Sequence, residues 1–127
     1  NYYIFTYMFT DLINMLKHSL IQSHYYHTTT QSYSEHKALD DYYDNISSHI
    51  DALIESYQGT YDTLIKDYNI LPLILDDNVL GYFKTLRDTI KINKYKYISE
   101  DDSHLLNILD ECFTLITTTI YKLTFLK

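Results

Sequence analysis

The segment from about Tyr33 to Gln58 has the most regular spacing of apolar side chains in the chain. Its apolar residues recur at intervals that alternate between four and three: Leu39, Tyr43, Ile46, Ile50, Leu53 and Tyr57. This interval is typical of an α-helix with one face against a core. A half-buried strand would alternate at every second residue. The segment therefore limits the chain to folds that contain a long amphipathic helix.

Similar spacing predicts three further helices. They run from about Tyr3 to His27, from Asp77 to Asn93 and from Ser99 to about Phe125. Ser34 and Ser99 are typical N-cap residues for the second and fourth helices, and Gly59 is a typical stop for the second. The connector between the second and third helices is long enough for a short extra helix near Asp62–Tyr68.

Composition agrees with an all-α fold. The chain has two glycines and one proline, which are too few for the many turns of an all-β protein. Its 127 residues correspond to one domain, which we place at residues 1–127. Four helices with one longer connector predict a four-helix bundle.

Charge, cysteine and hydropathy exclude several classes of protein. The net charge of -7 and the lack of a lysine-rich tail argue against DNA binding. Cys112 has no partner for an internal disulfide and is expected to be a small buried side chain. No apolar run has the roughly 18 residues of a membrane helix, and Asn1–Leu16 lacks the basic start of a signal peptide. We expect a cytoplasmic protein.

A second face of the Tyr33–Gln58 helix carries metal-ligand residue types. His36, Asp40, Asp51 and Glu55 follow one another at intervals of 4, 11 and 4 residues, which places them in one band. Such side chains bind iron, manganese or zinc. His36 and Glu55 are nevertheless about 28 Å apart along a helix, so one chain cannot bring the set together.

The band is symmetric about the point between Asn45 and Ile46. An antiparallel second copy would place His36 opposite the Glu55 of that copy, and Asp40 opposite its Asp51. A twofold dimer would thus form two identical sites. His24, at the end of the first helix, is a further candidate ligand. The alternative is an ordinary solvated face, on which charged residues at such spacing are common.

Residues His24 to Glu55 resemble the Dps family of mini-ferritins, which belong to the ferritin-like superfamily. His24, His36, Asp40, Asp51 and Glu55 reproduce that family's ligand types at intervals of 12, 4, 11 and 4. The departures are Tyr25 for a usual Trp, Thr29 for a usual Gly and Lys37 for a frequent acid. The divergent composition of the chain would suit a relative of viral or phage origin.

The resemblance implies a ferritin-like bundle that forms twofold dimers and a dodecameric shell. His24, His36 and Asp40 of one chain and Asp51 and Glu55 of another would bind Fe(II), which peroxide or dioxygen would oxidise. Ferric iron would be stored in the shell, which would protect against oxidative damage. Zinc or manganese could occupy the same ligands.

Two other functions stay open. The first is a structural or assembly protein that keeps the bundle and its interface without iron turnover. The second is a monomeric bundle that binds a partner through its tyrosine-rich surface. Of the other histidines, His27 is predicted at the surface, with a supporting role at the site as the alternative, while His18, His49 and His104 are interpreted as ordinary helix residues.

Overall fold

The computed structural model describes residues 8–127. Within them it has no strand and four helices: α1 (Phe9–Thr29), α2 (Tyr33–Tyr61), α3 (Val79–Tyr97) and α4 (Ser103–Phe125). The predicted all-α bundle of four helices is confirmed. The predicted beginning of the first helix at Tyr3 lies outside the described residues.

Helix ends differ from the predicted ones for local reasons. Ser32, rather than Ser34, is the N-cap of α2, because its side chain accepts a hydrogen bond from the backbone of Glu35 at 3.3 Å. The helix continues through Gly59 and ends at Tyr61, after which Asp62 turns into the left-handed region with φ 53°. α4 begins at Ser103 because residues 99–102 form a turn instead of a first helical turn.

The segment 62–78, called here the crossover, is extended and lies along α1. Its hydrogen bonds advance in step with that helix: Asn69 to Asn14, Pro72 to His18, Ile74 to Gln22, and Asp76 to Tyr26. The crossover therefore carries the chain back to the end of the bundle where α1 stops. As a result α2 and α3 run parallel, which is the connectivity of bundles with one long crossover.

The predicted short helix near Asp62–Tyr68 is wrong. The backbone there is held by side chains of the neighbouring helices: Ile65 N–H donates to the Gln58 side chain at 2.9 Å, and Asn69 N–H donates to Asn14 at 3.1 Å. A helix of one or two turns is costly to nucleate, so these tertiary hydrogen bonds prevail over the local helical tendency.

The core lies between all four helices. Contacts join α1 to α2, α2 to α4, α4 to α3 and α3 to α1. The predicted stripe of α2 is confirmed at Leu39, Ile46, Ile50 and Leu53, which are all buried. The prediction fails at Tyr43, which is half-buried while its neighbour Tyr42 is fully buried, and Tyr57 is only partly buried against the core. The Tyr42 hydroxyl is satisfied inside the core by Ser19 Oγ at 2.7 Å.

Cys112 is buried in this core, as predicted. Burial, and then the neighbouring charge of Glu111, raises the pKa of its thiol to about 12. In the part of the chain that the structure describes, no helix combines the length and the apolar character needed to cross a membrane.

Replacing Gln22 with Leu is expected to destabilise the fold by about 1–3 kcal/mol. The buried Gln22 amide donates to the carbonyl of Ile74 at 2.9 Å and accepts from its N–H at 2.8 Å, and leucine can do neither. Urea unfolding measures the loss, and amide hydrogen exchange at Ile74 should accelerate. Gln31→Leu, in the exposed turn between α1 and α2, is the matched control. Equal stability of the two variants would contradict the anchoring role of Gln22.

Candidate metal centre

Two histidines pair where α1 ends and α2 begins. His27 Nδ1 donates to the backbone carbonyl of His36 at 2.9 Å, and His36 Nδ1 donates to the carbonyl of His27 at the same distance. Their rings stack with centroids 3.8 Å apart and an angle of 19° between planes. The turn between the two helices is short, so the last turn of α1 faces the first turn of α2. The pair thus joins the last turn of α1 to the first turn of α2.

The pairing also selects the tautomer of both rings. A carbonyl oxygen only accepts, so Nδ1 of each ring must carry the proton. In the neutral ring the lone pair is then on Nε2, which is the form that binds metal ions. A hydrogen bond from the other ring nitrogen to a backbone carbonyl is also the usual way in which proteins orient a histidine ligand.

His24 and Tyr43 extend this pair. The Tyr43 ring stands edge-on to His24, with centroids 5.0 Å apart, and to His27, with centroids 5.1 Å apart. The rings of His24 and His27 are 6.1 Å apart. We call His24, His27, His36, Asp40 and Tyr43 the histidine cluster. It holds three of the five predicted metal ligands.

Asp40 joins the cluster through Tyr43. Partial removal from water raises the pKa of the Tyr43 hydroxyl, and a hydrogen bond to Asp40 and the charges of Asp40 and Asp44 raise it further. The Asp40 carboxylate is thus close enough to Tyr43 to influence its hydroxyl, and Tyr43 in turn borders His24 and His27.

Asp51 and Glu55 lie apart from the cluster. Both are exposed, and Asp51 is about 16 Å further along α2 than Asp40. Within residues 8–127 of a single chain, no three His, Cys, Asp or Glu side chains converge where an ion could bind. A metal site that uses all five predicted residues would therefore need a second chain.

All five residues lie on the outer face that α1 and α2 form together. The opposite flank of α2 faces α4, because Asp41 bonds Lys122 at 3.2 Å and His49 lies 3.5 Å from Glu111. At 100° per residue, Asp40 and Asp51 are about a quarter of a turn from Asp41 and about half a turn from His49. The face with the predicted ligands is thus open to a second copy of the chain.

His27 and Tyr43 are the cluster residues whose roles the sequence did not reveal. His27 is predicted at the surface, yet it stacks on His36. Tyr43 is predicted in the core, yet it borders the histidines. A short turn between two long helices brings the residues on either side of it together, so the position of His27 and His36 flanking the break was the available signal.

His27 and His36 are expected to stabilise the fold cooperatively. In a double-mutant cycle with His27→Ala and His36→Ala, the coupling free energy should be about 0.5–1.5 kcal/mol, because each ring loses its stacking partner when the other is removed. Urea denaturation of the four proteins measures it. His49→Ala with His104→Ala is the matched control cycle, since these residues bond different partners, Glu111 and Thr60. A coupling no larger than that of the control pair would contradict the role of the stack.

Comparison with known families corrects the sequence-based assignment. The predicted membership of the Dps family is wrong, because the family model that matches is a different one. The interval pattern is not specific to that family, because polar residues at intervals of 4 and 11 lie on one face of any long helix. The departures at Tyr25, Thr29 and Lys37 were the contrary signal.

No curated protein sequence and no solved structure is detectably similar to the chain. The family model covers residues 27–123, which includes four of the five predicted ligands and leaves out His24. This match spans most of the chain: it covers α2, α3, nearly all of α4 and only the last three residues of α1. The chain belongs to a family of unknown function, DUF5856.

Proposed function

We propose that two copies of this chain bind Fe(II) between antiparallel α2 helices and oxidise it with peroxide or dioxygen. The observation that carries the proposal is the His27–His36 pair, whose reciprocal bonds leave Nε2 of His36 as the lone-pair nitrogen, one helical turn before Asp40 in α2. Preorganised imidazole and carboxylate ligands of this kind suit iron, and also zinc and manganese. Iron is the substrate of the proposed reaction. Zinc, which is redox-silent, and manganese would compete with iron for the same ligands.

Each proposed site takes ligands from both copies. His24, His36 and Asp40 come from one chain, and Asp51 and Glu55 come from the other. The symmetric positions of these residues about the point between Asn45 and Ile46 produce two equivalent sites on one interface. The outer α1–α2 face is available for this pairing, because α3 and α4 pack on the other side.

Charge favours a metal between the copies. The outer stripe of α2 carries Asp40, Asp44, Asp51 and Glu55, and none of these makes a salt bridge within residues 8–127. Two such stripes brought together would repel each other. Bound divalent cations would turn this repulsion into attraction. Association of the chain should therefore depend on metal.

The chemistry needs two electrons for each peroxide. Two Fe(II) ions and two protons reduce one hydrogen peroxide to two waters, and two Fe(III) ions result. The role of the protein is to hold ions and oxidant together, so that electrons leave in pairs and hydroxyl radical is not released. Storage of the ferric product would further require that the twofold pairs close into a shell, which the mass of the assembly decides.

The crossover favours a second candidate, a structural or assembly protein without iron turnover. It exposes apolar side chains to solvent, among them Ile70 at 94% and Leu75 at 77%. Exposed apolar patches of this kind mark interaction surfaces. This candidate predicts assembly without Fe(II) oxidation, so the rate of oxidation separates the two.

Complementation between variants tests the shared site. His36→Asn keeps a donor near the Nδ1 position but removes the Nε2 ligand, and Asp51→Asn/Glu55→Gln removes the ligands of the other half. Each variant alone should oxidise Fe(II) at the rate of buffer. Mixed after reversible unfolding, they should recover about a quarter of wild-type activity, since half the pairs are mixed and each mixed pair has one intact site.

Ferric absorbance after anaerobic addition of Fe(II) and peroxide measures this activity, and light scattering with and without Zn(II) measures association. Asp67→Asn/Glu100→Gln removes the same charges from exposed positions outside α2 and should behave as wild type. Wild-type oxidation no faster than buffer would refute the enzymatic proposal. Variants that refold but show no gain in activity on mixing would refute the two-chain site.

A further inference from the structure

A cleft separate from the histidine cluster lies between α1, the crossover and α3. Its volume is about 410 Å³, within the range of small-molecule sites. His18 and Tyr26 line it from α1, Asp76 from the crossover, and Tyr82 and Leu86 from α3. It opens on the side of α1 that faces the crossover, whereas His24 faces α2. The two sites are therefore independent.

In one hydrogen-bonded network of the cleft, the donors and acceptors can be assigned. His18 Nε2 is 2.9 Å from the carbonyl of Pro72, which only accepts, so Nε2 carries the proton. Nδ1 then accepts, and the Tyr82 hydroxyl donates to it at 2.8 Å. Both ring nitrogens and the Tyr82 hydroxyl are thereby engaged.

A second network ends on a carboxylate. The Tyr26 hydroxyl donates to Asp76 Oδ1 at 2.6 Å, and the backbone N–H of Asn78 donates to the same oxygen at 3.2 Å. Both bonds go to Oδ1, and no bond to the other oxygen, Oδ2, is found among residues 8–127. Asp76 thus offers one carboxylate oxygen at the rim of the cleft.

Among the described residues, Asp76 is the only carboxylate in the lining, and no lysine or arginine belongs to it. Burial, followed by the hydrogen bond and charge of Asp76, raises the pKa of Tyr26, and burial raises that of Tyr82, so both phenols stay neutral. Among the described residues no lysine or arginine pairs with Asp76. The cleft therefore combines one uncompensated negative charge with aromatic and apolar walls.

We propose that this cleft binds a small organic cation, a primary amine attached to an apolar or aromatic body. The ammonium would donate to Asp76, close to the rings of Tyr26 and Tyr82, whose centroids are 6.0 Å apart. Aromatic rings attract cations through their negative faces. The body of the ligand would lie against Met15, Ile74 and Leu86.

Anionic and neutral ligands fit the cleft less well. An anion would meet the charge of Asp76, and the phenol donors that could bind it are already engaged with Asp76 and His18. The Thr89 hydroxyl is likewise engaged, since it donates to the carbonyl of Thr85 at 2.7 Å. A neutral ligand would lack the attraction between its own charge and the carboxylate that favours a cation.

Three probes of nearly equal shape test this inference: 2-phenylethylamine, 2-phenylethanol and 3-phenylpropionate. Titration at neutral pH, followed by amide chemical shifts, should show saturable binding of the amine with shifts around Asp76, Asn78 and Gly81. The alcohol and the carboxylate should bind at least tenfold more weakly, a difference of about 1.4 kcal/mol or more. Added salt should weaken the binding of the amine, because the carboxylate is near the surface.

Asp76→Asn should reduce amine affinity at least tenfold, while Asp77→Asn, one residue away and outside the lining, should leave it unchanged. Asparagine keeps an oxygen acceptor for Tyr26, and thermal unfolding of both variants verifies the fold. The inference is overturned if the amine and the alcohol bind equally, if Asp76→Asn folds and binds normally, or if shifts map elsewhere. It is also overturned if the amine does not saturate by about 10 mM.

Discussion

The bidentate bond between the Gln22 side chain and the backbone of Ile74 is the interaction on which the arrangement of the bundle depends. It holds an extended crossover against α1 and so returns the chain to the end of the bundle where α1 stops. α3 must then run parallel to α2, and α4 closes the square between them. Because the crossover occupies one flank of α1, the other flank and α2 share an open outer face. The histidine cluster lies on this open face, and the cleft lies on the other flank, between α1, the crossover and α3.

The helices could be predicted from the sequence because burial repeats with the helical period. Leu39, Ile46 and Leu53 establish the buried face of α2 without any knowledge of neighbours. The crossover could not be predicted in this way. Its extended conformation depends on side chains such as Asn14 and Gln22, which are distant in sequence and have no periodic signature. Tyr42 and Tyr43 show the same limit, since adjacent tyrosines are equally apolar and only packing decides which one is buried.

For the candidate metal centre, the sequence indicated which residue types share a face but not which of them meet. His24 and His36 both lie against His27 at one end of the α1–α2 face, with Asp40 one helical turn beyond His36, while Asp51 and Glu55 are further along it. The stacked pair of His27 and His36 required two ring nitrogens and two carbonyls in register, a relation that residue spacing does not encode. Family membership was the least predictable part, because periodic ligand spacing is a property of helices in general.

The environment of Cys112 has a practical consequence. Its thiol is the single sulfhydryl of the chain, fully enclosed between the helices and almost entirely protonated at neutral pH. Only the thiolate reacts with maleimides and disulfide reagents, so modification has to wait until the bundle opens. The rate at which Cys112 is labelled therefore reports how often the bundle opens. This rate can be followed without any engineered probe.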